Sequence, residues 1–334
     1  MACTLWPLSL LFAALVRTRL QLFRWGFLRA TLAEVPVWVV GNIVVGGAGK
    51  TPTVLALYKW LVQQGRTPGI VSRGYGGRAV GVQEVTPDSL AADVGDEPLL
   101  LKLRSRAPVV IGRDRVAAVQ ALLSAHPEVN FIISDDGLQH LRLKRTMQII
   151  VFDARGAGNG WLLPAGPLRQ PLPCEVPRRS LVLYNCPAPS TALPGYVASS
   201  QLSGAVAWLD WRAGRPATPQ TLATLAALSQ QEPLWAAAGI AQPDRFFNML
   251  RKSGLSIKPL PLPDHHDYAT LPWPQEATDV VITEKDAVKL GPLPSGRTRV
   301  WVVPLDLRWN DDMDLALRHA LDDSLRHRPL QRLY

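Results

Sequence analysis

One stretch confines this chain to a narrow set of folds: residues 34–64, EVPVWVVGNIVVGGAGKTPTVLALYKWLVQQ. Residues 34–42 are apolar and β-branched and close on Gly41 and Asn42, as a buried strand does when it feeds a turn. Residues 51–64 have helical spacing, with Leu55, Tyr58 and Val62 on one side. Between them lies a glycine loop followed by lysine and threonine. Strand, glycine loop and helix together form the setting in which backbone N–H groups converge on phosphate oxygens at a helix N-terminus. Gly46, Gly47, Ala48, Gly49, Lys50, Thr51 and Pro52 are therefore the candidate nucleotide-binding residues. Lys50 is expected on the β- and γ-phosphates, and the Thr51 hydroxyl on Mg2+. Val44 stands where a strict pattern of this kind has its first glycine, so a different backbone path into the loop is expected.

A loop of this kind works with a carboxylate at the end of a neighbouring apolar strand. FIISDDG (131–137) supplies Asp135 and Asp136 there, making Thr51, Asp135 and Asp136 the candidate metal-side oxygens. The plainer alternative is an Asp-Gly turn with a solvated aspartate. Further strands are read at 69–72, 108–111, 129–134, 148–152 and 180–185, and helices near 97–104 and 113–125. Such alternation predicts an α/β fold, a P-loop NTPase-like parallel sheet with helices on both faces. After the proline-rich CPAPSTALPG (186–195), a candidate linker, the pattern resumes at 205–211. Helices follow near 219–228 and 246–250, with strands at 234–239, 279–283 and 298–304. The expected organisation is an N-terminal interface helix (1–30), a P-loop domain (31–190) and a second, smaller α/β domain (191–334). The Gly/Pro-rich 153–177 reads as a functional loop.

The net charge of +9 suits a protein that meets anions, and no nucleic-acid signature is present, so nucleic acid is not an expected partner. Three cysteines without CxxC spacing, Cys3, Cys174 and Cys186, suggest reduced thiols. Residues 5–16 form an apolar run shorter than the roughly 18 residues that span a bilayer, and the arginines follow it rather than precede it. On a helix, Val16, Leu20, Phe23 and Phe27 form one stripe and Arg17, Gln21 and Arg24 another. That pattern fits an in-plane membrane helix with its apolar stripe in the acyl boundary, and equally a helix packed on the protein's own core.

Nucleotide binding leaves the phosphate acceptor open. Asp96 in GDEP (95–98) and His265 in PDHHDY (263–268) are candidates for a base that activates a hydroxyl. Asp96 could instead cap the helix that begins at Glu97 and Pro98, and the histidines could mark a surface turn.

GNIVVGGAGKTP (41–52), SRGYGG (72–77), GDEP, SDDGLQH (134–140), LLPAGPLR (162–169), AGIAQPDRFF (238–247), PDHHDY and TEKDAVKL (283–290) together resemble the tetraacyldisaccharide 4'-kinase family. They run in family order over nearly the whole chain, and the family's loop similarly lacks the first glycine. The resemblance implies transfer of the ATP γ-phosphate to the 4'-hydroxyl of tetraacyldisaccharide 1-phosphate. It further implies a peripheral or monotopic protein at the cytoplasmic face of a Gram-negative inner membrane, with the N-terminal helix on the anionic surface and no obligate protein partner. By the same matching, Asp96, His265, Lys50 and Asp136 form the catalytic set, and Arg73, Arg115, Gln139, His140 and Arg169 contact substrate. Gln170 departs from the family, which has glutamate after LLPAGPLR, so any role needing that charge is open. TEKDAVKL is read as structural. The competing readings are a membrane-docked ATPase or GTPase switch, and a lipid-binding module with a vestigial loop.

Overall fold

The computed structural model describes residues 3–264, 266–291 and 298–326. The chain runs through α1 (Trp6–Arg24), β1 (Val37–Gly41), α2 (Lys50–Gln63), β2 (Pro68–Ser72), β3 (Gln83–Glu84), α3 (Ala91–Val94), α4 (Asp96–Ser105), β4 (Val109–Ile111) and α5 (Arg115–Ala125). It continues with β5 (Phe131–Asp135), β6 (Met147–Phe152), β7 (Ser180–Tyr184) and β8 (Tyr196–Leu202). Next come β9 (Val206–Ala207), α6 (Trp208–Arg212), α7 (Pro219–Ser229), β10 (Leu234–Ala238), α8 (Pro243–Lys252) and β11 (Ile257–Pro261). Last are β12 (Asp279–Ile282), α9 (Glu284–Ala287), β13 (Arg299–Val302), β14 (Leu305–Trp309) and α10 (Asp311–Arg326).

Among the described residues these strands form a nine-stranded sheet, β14-β8-β7-β6-β1-β5-β2-β4-β3, and a five-stranded sheet, β11-β10-β12-β13-β9. The larger sheet is parallel except at its rims, where β3 and β14 run antiparallel to their neighbours. β1 is buried along its whole length, as a parallel strand covered on both faces must be. At its centre Trp38 is 0% exposed, meets Phe131 edge-on at 5.1 Å and stacks on Trp60 at 6.2 Å. Its indole Nε1 donates to Ser324 Oγ at 2.9 Å, tying α10 to the middle of the sheet.

The expected linker at 186–195 lies within the larger sheet. Its proline-rich turn is folded back by the Tyr184 hydroxyl, which donates to the Leu193 carbonyl at 2.6 Å, and β8 then pairs with β7 in parallel. Proline-rich segments connect strands as readily as domains, so composition misplaced the change of sheet. The chain leaves the first sheet after Leu202 and returns to it at Leu305. One apolar cluster runs through both sheets, from Trp38 and Ile133 to Ile282, Val302 and Met313.

The helix expected at the N-terminus is α1, and of the two placements open for its apolar stripe the structure shows the one turned toward the protein. Val16, Leu20 and Phe23 are half-buried against the protein, and Phe27 lies past the helix end. A different apolar row faces outward: Leu8, Leu11 and Leu15 are 52%, 63% and 70% exposed. Helical spacing shows that a stripe exists and leaves its partner unspecified. Ser9 fixes the orientation, donating to the Leu162 carbonyl at 2.5 Å and accepting from Ala165 N at 3.0 Å. No helix among the described residues is long and apolar enough to cross a membrane.

Trp38→Ala is expected to cost about 3–5 kcal/mol of stability, through the cavity it opens and the stranded Ser324 hydroxyl. A fall in the urea midpoint by an amount this large, relative to wild type, is the expected readout.

Candidate active site

Residues 43–45 answer the question that Val44 raises. Val44 is buried and bridges Leu168 in antiparallel fashion, flanked by Arg169 N to Ile43 O (2.7 Å) and Val45 N to Pro167 O (2.9 Å). Where a flexible glycine would sit, this chain places a short β-ladder between the phosphate loop and the 162–169 loop. The loop proper turns at Gly46 (φ 92°) and Gly49 (φ 88°), conformations that L side chains rarely adopt. Gly49 is the N-cap of α2 and has no side-chain cap, leaving the first-turn N–H groups available to an anion. A Cβ at Gly49 would lie 2.1 Å from Asn185 Nδ2, so the close approach of that side chain also demands glycine. Lys50 is 8% exposed; its Nζ lies 3.5 Å from Asn42 Oδ1 and 3.9 Å from Asp136 Oδ1. Asn42 in turn donates to the Gly46 carbonyl at 3.1 Å, so one amide orients both the loop and its lysine.

The acidic pair sits at the carboxyl end of β5. Ser72 Oγ donates to Asp135 Oδ2 at 3.1 Å, while Oδ1 is buried without a hydrogen-bond partner. Burial above all, with the charges of Glu97 and Asp136 added, pushes the Asp135 carboxyl up to about 7. Asp136 adopts a left-handed conformation (φ 46°) that turns its carboxylate onto Arg169 Nη1, 3.0 Å from both oxygens. Glu97 belongs to the same group. Burial would raise its pKa, but Lys285, whose Nζ is 2.7 Å from Oε1, and Lys50 hold it down to about 2. An orphaned carboxylate oxygen lining the same cavity as Thr51 fits a hard, oxygen-seeking cation. Among the described residues no three His, Cys, Asp or Glu side chains form a metal cage.

These groups open into a cavity of about 990 Å³ between the carboxyl edge of the larger sheet and the smaller sheet. The structure brings Gly46, Gly47, Gly49, Lys50, Thr51 and Pro52 to its wall, together with Arg73, Asp96, Asp135, Asp136, Gln139 and Arg169. Phe12, Val16 and Leu20 of α1 form an apolar side. Asp96 occupies the first position of α4, and Gly95 is the N-cap. Arg115 and His140 do not line the cavity. Arg115 is 2% exposed and donates to the carbonyls of Gly112 (2.7 Å) and Asp135 (3.4 Å), supporting the acidic turn from beneath. His140 accepts from Arg115 N at 3.3 Å, and burial, reinforced by Arg115, lowers its pKa to about 4. Ala48 is buried behind the loop. His265 lies outside the described residues; its neighbour Asp264 lines the cavity. Gln170 accepts from Gln139 Nε2 at 3.2 Å, a contact that needs no charge.

Several site residues escaped the reading of the sequence: Asn42, Glu97, Arg155, Asn185 and Lys285. Arg155 Nη2 donates to the Gly47 carbonyl at 3.3 Å, and Arg245 Nη2 lies 3.3 Å from Asn185 Oδ1. Glu97 and Lys285 fall within GDEP and TEKD, so the signal was present in motifs credited to other residues.

Comparison with known proteins decides the relationship. The pattern of the family described as tetraacyldisaccharide-1-P 4'-kinase (LpxK) matches residues 1–326. The chain belongs to this family. It is 55% identical to the tetraacyldisaccharide 4'-kinase of Leptothrix cholodnii over 304 residues, 90% of this chain and 86% of the relative. The Methylibium petroleiphilum enzyme of the same description is 54% identical over 326 residues, 96% of this chain and 90% of its own. LpxK from Aquifex aeolicus, solved in complex with ATP, superposes with a TM-score of 0.77 at 26% identity, covering 97% of this chain and 99% of that one. The α/β sheet with its phosphate loop is thus the family fold.

Two outcomes are expected from this geometry. Gly49→Ala should weaken ATP binding by about 5- to 150-fold, the scale of left-handed backbone strain of about 1–3 kcal/mol, as read by equilibrium binding. Asp135 holds its proton up to about pH 7 when folded and loses it near 4 when unfolded. The nucleotide-free protein should therefore lose stability as pH rises between those values. Melting temperatures from pH 5 to 8 should show that decline in wild type and a flatter profile in Asp135→Asn.

Proposed function

We propose that this chain transfers the γ-phosphate of ATP to the 4'-hydroxyl of tetraacyldisaccharide 1-phosphate, with the loop at 46–52 holding the ATP phosphates. Family membership and the ATP complex of the Aquifex aeolicus relative support the kinase reaction. The observation that carries the division of labour is one cavity lined by the phosphate loop, Asp135 and Asp96, with Phe12, Val16 and Leu20 of α1 as an apolar side.

Lys50 and the first turn of α2 bind the β- and γ-phosphates. Thr51, Asp135 and Asp136 are the oxygens that would hold Mg2+, which when bound neutralises phosphate charge. Asp96, with His265, accepts the proton of the 4'-hydroxyl as its oxygen bonds to the γ-phosphorus and the bond to ADP breaks. Arg169 pairs with Asp136 at the cavity wall and is poised to meet substrate anions, as is the exposed Arg73. Gln139 donates to the Asn42 carbonyl at 3.2 Å and so supports the loop, with its outer edge toward the acceptor. Arg115 and His140 act on substrate indirectly, by holding the acidic turn.

The acceptor is an acylated lipid, and the protein meets it at a membrane surface. Outward-facing Leu8, Leu11 and Leu15, with exposed Trp6, Trp25 and Phe27 and the basic Arg17 and Arg24, support peripheral docking of α1 on an anionic bilayer. In this arrangement the inward stripe of Val16 and Leu20 borders the acyl-bearing side of the substrate. The inner membrane's cytoplasmic face, where ATP is available, is the corresponding location.

Labelled γ-phosphate is expected to appear in a bisphosphorylated lipid when Mg-ATP and tetraacyldisaccharide 1-phosphate are supplied in detergent, and to be absent with Lys50→Ala. Asp96→Ala should lower turnover by about 10²-fold or more while ATP affinity changes little. Label released only as inorganic phosphate would point to an ATPase instead.

A further inference from the structure

Residues 283–290 form a sequence motif that neither the phosphate loop nor the acceptor pair uses. Three of the four residues of α9 are buried, and the contacts of two account for its position. Glu284 accepts from Arg104 Nη1 and from Trp211 Nε1, the latter at 3.0 Å. Asp286 accepts from Thr283 Oγ1 at 2.6 Å and from Gly239 N at 3.1 Å, and Ala287 is packed in the core. Lys285 is the remaining residue. It is half-buried and lines the cavity, where its Nζ reaches Glu97 Oε1 at 2.7 Å. The anchors on either side hold the backbone of α9 so that this one side chain is presented to the site.

The partner it reaches is informative. Glu97 follows Asp96 on the first turn of α4 and lies within the field of Lys50 as well as Lys285. Two lysines from different sheets therefore share one carboxylate at the edge of the phosphate loop. The ion pair is half-buried, with side chains 35% and 30% exposed, and both residues line the cavity. The ammonium has three donors and the contact with Glu97 uses one. Phosphoryl transfer spreads charge over three equatorial oxygens, and a cation brought to them from another part of the chain accelerates it.

We propose that Lys285 is a second phosphate-directed lysine, carried by the smaller sheet, which keeps Glu97 with one N–H and gives another to an oxygen of the transferring phosphoryl group. The inference rests on the kinase reading and adds to it a residue that stabilises the transition state. Lys50 supplies the cation from the loop side and Lys285 from the acceptor side, next to Asp96. No proton moves through Lys285; the bonds made and broken are those of the transfer itself.

The test is single-turnover transfer to tetraacyldisaccharide 1-phosphate by Lys285→Met and Lys285→Arg, with ATP affinity measured separately by equilibrium binding. Lys285→Met should slow transfer about 10²-fold or more, as removal of a charge-stabilising donor does, with ATP affinity within about threefold of wild type. Lys285→Arg should recover part of the rate. The double variant Lys285→Met/Glu97→Gln should remain as slow as Lys285→Met. Restoration of the rate in the double variant would reduce Lys285 to a counter-ion for Glu97 and overturn the proposal. A wild-type rate in Lys285→Met, or parallel loss of ATP binding and transfer, would overturn it too. Should Lys285→Met fail to fold, Lys285→Gln carries the same comparisons. A wild-type protein that transfers nothing to the lipid counts against the kinase reading rather than against Lys285.

Discussion

The parallel register of β1 against β5 sets the geometry of everything around the phosphate loop. Val40 lies opposite Asp135, so the chain that leaves β1 at Gly41 starts its loop level with the acidic turn that leaves β5. Because strand side chains alternate with a period of two, a slip of one residue would turn Asp135 to the opposite face of the sheet. The register is held by burial on both sides: Val37, Trp38, Val39 and Val40 have apolar contacts on one face or the other, and none can be moved to water cheaply. A site of charged groups is thus aligned by residues that carry no charge at all.

Around that alignment the cavity edge carries alternating charges. Lys285 meets Glu97, Glu97 lies in the field of Lys50, Lys50 faces Asp136, and Asp136 holds Arg169. Each group is partly withdrawn from water, where an unpaired charge would be costly, and each has neighbours of opposite sign. Asp135 differs in lying within the field of Lys50 without forming an ion pair. It is the most deeply buried carboxyl of the group, receives only the Ser72 hydroxyl on one oxygen, and carries the raised pKa that results. A substrate that brings four or so negative charges and a divalent cation would complete this pattern rather than disrupt it.

What could be read from the sequence was what local chemistry determines. The strand at 37–41, the glycine turns, the helix that begins at Lys50 and the carboxylates closing β5 all announce themselves within a few residues. The sheet partners of β8 and β14 did not, because strand pairing across a hundred residues has no local signature. The face of α1 was ambiguous for a related reason: only the tertiary fold decides that Val16 and Leu20 turn to the cavity. Arg115 shows the limit of motif matching. Its place near the site was right, but its guanidinium is committed to the carbonyls of Gly112 and Asp135. Lys285 shows the converse, a residue set aside as structural whose side chain reaches Glu97 across 188 positions.

The return of β14 to the edge of β8 has a consequence for how such a molecule can vary. Leu202 pairs with Leu305 in an antiparallel ladder that continues to Ala198 and Trp309. Viewed from the larger sheet, β8 and β14 are the two arms of a hairpin, and the whole five-stranded sheet is the loop at its tip. Material inserted in such a loop leaves strand order and register behind it unchanged. The five-stranded side of the cavity can therefore change in length without moving the phosphate loop, with the common apolar cluster as the main restraint on how far the two sheets drift apart.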